Sequence, residues 1–366
     1  MPLLTPRRVL LTTDAVGGVW RYVLELAEGL AARGIEPVIA VLGPSPSPTQ
    51  HAHASGIAEV VETGLPLDWT ADDPRALASA AGRLADLAGE TAADLAHLHA
   101  PAFAGWARWP LPVVAVAHSC LATWWDAVRS TALPPDFTWR ANATERGLNN
   151  ADAVIAPTAA FSRALRRAYT VERSIAVVHN GRRAPAMASG LRERAVLTVG
   201  RLWDEGKNVA ALDRAAFFLD APAYAAGPIA GPNGAVARFD HIRLLGELEA
   251  PALWARYAGT AILAAPARYE PFGLGVLEAA QAGMALVLGD IPTLRELWDG
   301  AAAFVDPGDD EALAHALRSL LDDTDAIERA GALARERARG YTVDAMVDGT
   351  VAVHRMTLAH IATAAA

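Results

Sequence analysis

The sequence predicts an α/β protein built as two doubly wound domains, and three observations lead there. The first is length: 366 residues exceed what one hydrophobic core usually organises, so two domains are expected. The second is the alternation of short Val/Ile/Leu/Ala runs with helix-length Ala/Leu/Arg segments. That is the pattern of a parallel sheet covered by crossover helices. The third is a break at residues 182–194, RRAPAMASGLRER, which follows neither period and reads as a connection between domains.

In order, the first half places strands at 8–14, 36–43, 94–100, 113–118, 153–157 and 175–180. The second places them at 195–200, 241–245, 261–265, 285–289 and 303–306. Helical periodicity falls between them, as at 19–33, 161–169, 209–219, 275–282 and 311–320. Pro44, Pro46 and Pro48 mark a stiff loop rather than a boundary. The expected organisation is a first domain over 1–181, a linker over 182–194, a second domain over 195–340 and a closing helix over 341–366 that can pack on either domain.

Composition narrows the function. No apolar stretch reaches the roughly 20 residues of a membrane span. The first eight residues carry two prolines and two arginines and run straight into an apolar strand, which argues against a secretory signal and for a cytoplasmic protein. A net charge of -9 has the wrong sign for binding nucleic acid through its phosphates. The single cysteine, Cys120, excludes an internal disulfide and a thiolate zinc cage.

In open α/β sheets, ligands bind beyond the carboxyl ends of the strands, so candidates are sought there. After the first strand, Gly17 and Gly18 leave backbone N–H groups open to an anion at a helix start. The spacing is not the G-x-G-x-x-G of dinucleotide sites. Arg201 and Lys207 follow the first strand of the second half, where two cations can converge on a diphosphate without a metal. The segment from Glu270 to Glu278, EPFGLGVLE, sits between a strand and a helix. Phe272, Gly273 and Leu274 expose backbone N–H groups at that helix start, and Glu278, one turn in, is expected to point into the same cleft as Glu270.

His118 ends a strand of the first half and can donate to a sugar oxygen or stabilise developing charge. Nearby Cys120 reads as a small buried hydrophobe rather than a nucleophile. His97 and His99 share one strand face, but no third ligand is visible and no metal is assigned. Asp323-Thr-Asp325 matches a D-x-D metal pattern yet reads better as a helix-capping turn. Arg163, Arg166, Arg167 and Arg173 read first as a solvated face and second as a weak peripheral contact with the inner face of a membrane. Trp106, Trp109, Trp124, Trp125 and Trp139 divide equally between acceptor lining and ordinary packing.

Together these segments resemble the retaining GT-B glycosyltransferases of family four, also called group 1, from Val9 to about Tyr341. The most specific part is the Glu270-x7-Glu278 spacing after GRLWDEGKN, with DIPTLREL downstream and Val178-His179-Asn180-Gly181 before the linker. The resemblance implies two Rossmann-like domains facing across a cleft, with a C-terminal helix after the second, closing over the donor about residues 182–194. It implies transfer of a hexose, with retention, from a nucleotide-diphosphate sugar, with UDP expected, to a glycan, lipid-linked or small-molecule acceptor. No metal or other cofactor is implied. Gly17 and Gly18 would meet the distal phosphate, while Arg201 and Lys207 would neutralise the leaving diphosphate. Glu270 would hold the donor sugar beside the backbone of Phe272, Gly273 and Leu274. Glu278 would hold the ribose, and His118 would touch the transferred sugar. Ser119 stands where many members carry Asp. The rival readings are a non-catalytic sugar-nucleotide-binding subunit and a nucleotide-sugar epimerase on the same fold.

Overall fold

The first strand, β1 (Arg8–Asp14), buries five successive residues, so both of its faces are covered, as a parallel sheet requires. A computed structural model describes residues 5–129, 131–186, 190–231 and 234–364 of the chain. Positions 187–189 of the expected linker and 365–366 of the expected closing helix lie outside the described residues. The chain forms two units: Met1–Gly181 with Val343–Ala366, and Arg182–Thr342.

In the first unit, β1 is followed by β2 (Glu36–Leu42), β3 (Glu59–Glu62), β4 (Leu95–Leu98), β5 (Val113–Val116), β6 (Ala153–Ala156) and β7 (Ile175–Val177). All pair in parallel, in the order β3-β2-β1-β4-β5-β6-β7. Its helices are α1 (Gly18–Ala31), α2 (Pro48–Ser55), α3 (Pro74–Glu90), α4 (Leu121–Val128), α5 (Pro135–Asn150) and α6 (Ala159–Ala168). Local chemistry starts several of them. Ser47 and Gln50 form a capping box on α2, Asp73 precedes Pro74 on α3, and Thr158 caps α6.

The second unit carries β8 (Glu193–Val199), β9 (Ala223–Ala226), β10 (Arg243–Gly246), β11 (Thr260–Ala265), β12 (Ala285–Gly289) and β13 (Ala303–Val305), in the parallel order β10-β9-β8-β11-β12-β13. Its helices are α7 (Val209–Ala216), α8 (Ala250–Gly259), α9 (Leu274–Ala282), α10 (Pro292–Trp298), α11 (Asp310–Leu321) and α12 (Thr324–Ala338). Asp323 caps α12 by accepting from the Ala326 N–H at 2.8 Å, so the D-x-D pattern is a helix start.

The last helix, α13 (Val343–Ala364), belongs to the first unit rather than following the second as a separate piece. Val343, Met346, Val347, Val351 and Val353 join the core of α1 and β1. Gly29 permits the approach, because a Cβ there would lie 2.3 Å from a Val347 methyl. Arg33 pairs with Asp344 and Asp348 at the rim. The expected linker is also shorter than its composition suggested: Glu193 and Arg194 already form β8, and Arg192 donates to carbonyls of Tyr257, Thr260 and Ala282.

Two strands carried no readable signal. β3 is an edge strand of sequence EVVE without alternation, and β9, AYAA, has the small residues of a helix. Their strand state comes from the neighbouring strand that each completes.

The first unit also pairs four imidazoles, those of His97, His99 and His354 buried and that of His118 half-buried. His97 Nδ1 lies 2.8 Å from His354 Nε2 on α13, and His99 Nδ1 lies 2.8 Å from His118 Nε2. Burial drives all four to lower pKa, His118 to about 4, His354 to about 3, and His97 and His99 well below the ordinary 6.5. The unfolded chain therefore takes up protons below about pH 6.5 that the folded chain refuses until lower pH, so this stability is complete above that point and falls on acidification. Asp68, which burial raises to about 6 with Asp14 adding to the shift, opposes part of the loss between its ordinary 3.8 and 6. Each imidazole contributes up to about 1.4 kcal/mol per pH unit. Replacing one buried pair by leucines, H97L/H354L, is expected to remove about half of the fall in melting temperature between about pH 7.5 and 5.5, read by circular dichroism. An unchanged pH slope would show that the pair is not buried in neutral form.

Candidate active site

Both sheets reverse their strand order beside the first strand of the unit, between β1 and β4 and between β8 and β11. Such a switch point leaves a crevice at the carboxyl edge. The expected site residues lie on the loops around these two points.

In the first unit β1 ends at Asp14, whose Oδ1 accepts from the Val16 N–H at 2.7 Å and shapes the turn. Gly17 has φ +94° and precedes α1 without a side-chain cap, and nothing lies within 4 Å of where its Cβ would stand. Its conformation favours glycine, and the space above is open. Gly18 opens α1, so the first N–H groups of that helix have no side-chain acceptor. His118 follows β5 and is held by His99, which follows β4. Cys120 is not its partner: the thiol contacts the Thr123 hydroxyl at 2.9 Å, and burial raises its pKa.

In the second unit the loop after β8 begins at Gly200, φ +145°, and a Cβ on Gly227 would lie 1.9 Å from the Gly200 carbonyl oxygen, so two backbones meet here. Asp204 accepts from the Gly206 N–H and from Arg201, both at 2.9 Å. The Arg201 side chain is 57% exposed and thus reachable by a ligand. Asn208, in the left-handed region at φ +55°, donates to the carbonyls of Pro266 and Pro307, both at 2.8 Å. The Gly206 carbonyl accepts from Arg268 and Tyr269. These bonds tie the loop after β8 to the loop after β11, and Lys207 on the first forms an ion pair with Glu270 on the second.

Glu270 is further fixed through its carbonyl, which accepts from the Thr293 hydroxyl at 2.6 Å. Gly273, φ +90°, starts α9 without a side-chain cap and with no acidic residue in the first turn. The helix start at Gly273 and Leu274, next to Phe272, thus has no side-chain cap and directs its positive dipole end beside the Lys207–Glu270 pair. Glu278 lies differently from Glu270. It is 3% exposed, accepts from Arg182 Nε at 2.7 Å on one oxygen and from the Tyr257 hydroxyl at 3.1 Å on the other. The neighbouring Val276, Leu277, Ala279 and Ala280 are buried too, so Glu278 emerges from a helix enclosed on most sides.

Sequence reasoning missed Tyr22, Asp68, Arg182 and Tyr257, which surround these sites but sit in no motif. Among the described residues no three His, Cys, Asp or Glu side chains are grouped to hold a metal. The five tryptophans are half-buried, and four of them lie under arginines: Arg146 over Trp106 at 4.8 Å, Arg140 over Trp139 at 4.3 Å, and Arg129 over Trp124 and Trp125. Of the arginine group, Arg166 donates to the carbonyls of Val171 and Arg173, and Arg173 to that of Asn149. Those two are occupied in holding a loop. Among the described residues no helix is long and apolar enough to cross a membrane.

The structure is similar to that of sucrose-phosphate synthase from Thermosynechococcus elongatus, with a TM-score of 0.78, 19% identity and coverage of 97% of this chain and 100% of that one. It is also similar to HepE from Anabaena in complex with UDP-glucose, with a TM-score of 0.72, 15% identity and coverage of 95% and 98%. These similarities define the class: two Rossmann-like units of the GT-B fold. In sequence, residues 16–183 match Glycosyltransferase Family 4 and residues 238–337 match Glycosyl transferases group 1. D-inositol 3-phosphate glycosyltransferase from Corynebacterium diphtheriae is 26% identical over 89% of this chain and 86% of its own length. Glycogen synthase from Mycobacterium tuberculosis is 41% identical over 104 residues, 28% of this chain, and that match spans 23% of the synthase. The chain belongs to the family-four, group 1 glycosyltransferases, enzymes that transfer sugar.

The Arg182–Glu278 pair is buried on both sides, with 10% and 4% side-chain exposure. Truncating one member of such a pair strands the other, at a cost of about 3–5 kcal/mol. Glu278→Ala is expected to lose that stability in chemical denaturation, and Glu278→Gln, which keeps the volume and one of the two acceptor oxygens, less.

Proposed function

We propose that the protein is a retaining, metal-independent hexosyltransferase that uses a nucleotide-diphosphate sugar, with UDP as the nucleotide. The observation that carries this reading is the Lys207–Glu270 ion pair beside the uncapped start of α9. A cation, a helix dipole and a carboxylate that can accept from sugar hydroxyls are there held together. The solved relative with UDP-glucose supports a UDP-sugar donor.

In this reading Arg201 and Lys207 take up the charge that develops on the leaving diphosphate, the largest barrier term in such a transfer. The backbone N–H groups of Phe272, Gly273 and Leu274, and those of Gly17 and Gly18, donate to phosphate or sugar oxygens. Glu270 orients the donor sugar, and His118 donates to it. Glu278 takes the ribose hydroxyls, sharing its carboxylate with Arg182 and Tyr257. The departing phosphate oxygen removes the acceptor proton on the same face of the sugar, so the anomeric configuration is kept. The name of the relatives that align over most of the chain makes a phosphorylated polyol the first acceptor to try, ahead of a glycan or lipid-linked one.

The test is a thermal-shift screen of UDP, GDP, ADP and UDP-glucose in excess EDTA, on wild type, Lys207→Ala and Glu278→Gln. A ligand at about 100 times its dissociation constant stabilises the native state by roughly 2.7 kcal/mol. A UDP-selective shift, reduced in Glu278→Gln, is expected. No shift with any nucleotide would defeat the donor-site assignment. With an acceptor found, turnover is expected to survive EDTA, and Lys207→Ala to lower kcat about 100-fold with a smaller change in KM. A strict requirement for added Mg2+ or Mn2+ would overturn the metal-independent mechanism.

A further inference from the structure

His118 and His99 leave adjacent parallel strands at the carboxyl edge of the first sheet, and their rings are joined Nε2 to Nδ1 at 2.8 Å. Neither position is adjustable. The His99 N–H donates to the Thr12 hydroxyl at 2.9 Å, which pins the end of β4 to β1. The Tyr22 ring from α1 stands edge-on to both imidazoles, with centroids at 5.3 Å from His99 and 4.8 Å from His118. Behind them His97 touches His99 at 4.8 Å and is bonded to His354 of α13.

A hydrogen bond between two neutral imidazoles holds one proton, and it belongs to one ring or the other. If His118 donated from Nε2, the His99 proton would have to sit on Nε2 of its own ring. That atom is buried and has no protein partner among the described residues. A buried N–H with no acceptor costs more than a buried lone pair, so the proton rests on His99 Nδ1. His118 Nε2 then accepts, and the proton of His118 is on Nδ1, the nitrogen left for a ligand. His118 is in this way set as a donor and is unsuited to act as a base.

We propose that His99 is a positioning residue that fixes His118 as its Nδ1–H tautomer, so that His118 meets the transferred sugar as a hydrogen-bond donor. The functional half of this rests on the reading of His118 as a donor-site residue. The tautomer does not, and the two are separable by experiment.

The test uses the full chain with 15N-labelled histidine and long-range proton–nitrogen correlation spectra, with the His118 signals assigned by their loss in His118→Gln. Wild type is expected to show His118 protonated at Nδ1 and bare at Nε2. His99→Phe keeps the ring volume and removes the donor, and should release His118 Nε2 from its hydrogen bond, moving its nitrogen shift to that of a free lone pair. His99→Asn, whose amide can donate from near the place of Nδ1, should retain the wild-type pattern. An Nε2–H tautomer for His118 in wild type, or an unchanged pattern in His99→Phe, overturns the proposal. Should His99→Phe fail to fold, the wild-type spectrum alone decides. In parallel, UDP release from UDP-glucose with D-inositol 3-phosphate is followed. A loss of about 10-fold or more in kcat for His99→Phe, with KM for UDP-glucose changed less than about two-fold and recovery in His99→Asn, is expected. No UDP release by wild type would count against the donor or acceptor reading, while the spectra still decide the tautomer.

Discussion

Parallel pairing is the constraint on which the rest of this protein depends. Two neighbouring parallel strands can be joined only by a crossover that returns the chain to the same end of the sheet. Every strand then delivers its following loop to one edge, and the point where strand order reverses leaves a crevice there. The glycine turn after β1, the two histidines after β4 and β5, the cationic loop after β8 and the acidic loop after β11 are all consequences of that geometry. None of these loops is near the others in sequence, and the sheets alone gather them within each unit.

Within the second unit, stability and chemistry draw on the same bonds. Asn208 adopts a left-handed conformation that few residues accept, and two carbonyls on other loops hold it there. The result is that Lys207 is carried to Glu270 by backbone that has little freedom to move. A pre-placed cation needs no reorganisation when a diphosphate arrives, and pre-organisation is where most electrostatic catalysis originates. Glu278 and Arg182 show the structural side of the same economy, since a buried carboxylate with two partners also anchors the first residue of the unit.

The first unit solves a different problem. It needs polar side chains at the edge of a buried sheet, and imidazoles can be neutral and polar at once. Pairing them lets each satisfy one nitrogen of the other, and the chain end contributes through His354. The C-terminal helix is therefore part of the packing of this unit, not an appendage of the second one that precedes it in sequence.

Much of this was legible in the residues themselves. Strong apolar runs such as those of β1 and β12 declare buried strands wherever they occur, and Asp323 announces a helix start by local hydrogen bonding alone. Family membership was legible as well, because it rests on the order and spacing of short motifs. The sequence could not place α13, β3 or β9, whose state follows from the surface each one covers or completes. Nor could it pair His99 with His118, His97 with His354, or Arg182 with Glu278, which are 19, 257 and 96 residues apart. Motif and periodicity are local properties and so were determined by the sequence on its own. Hydrogen-bond partners, burial and proton position depend on what long-range packing brings within 3 Å, and only the tertiary structure decided them.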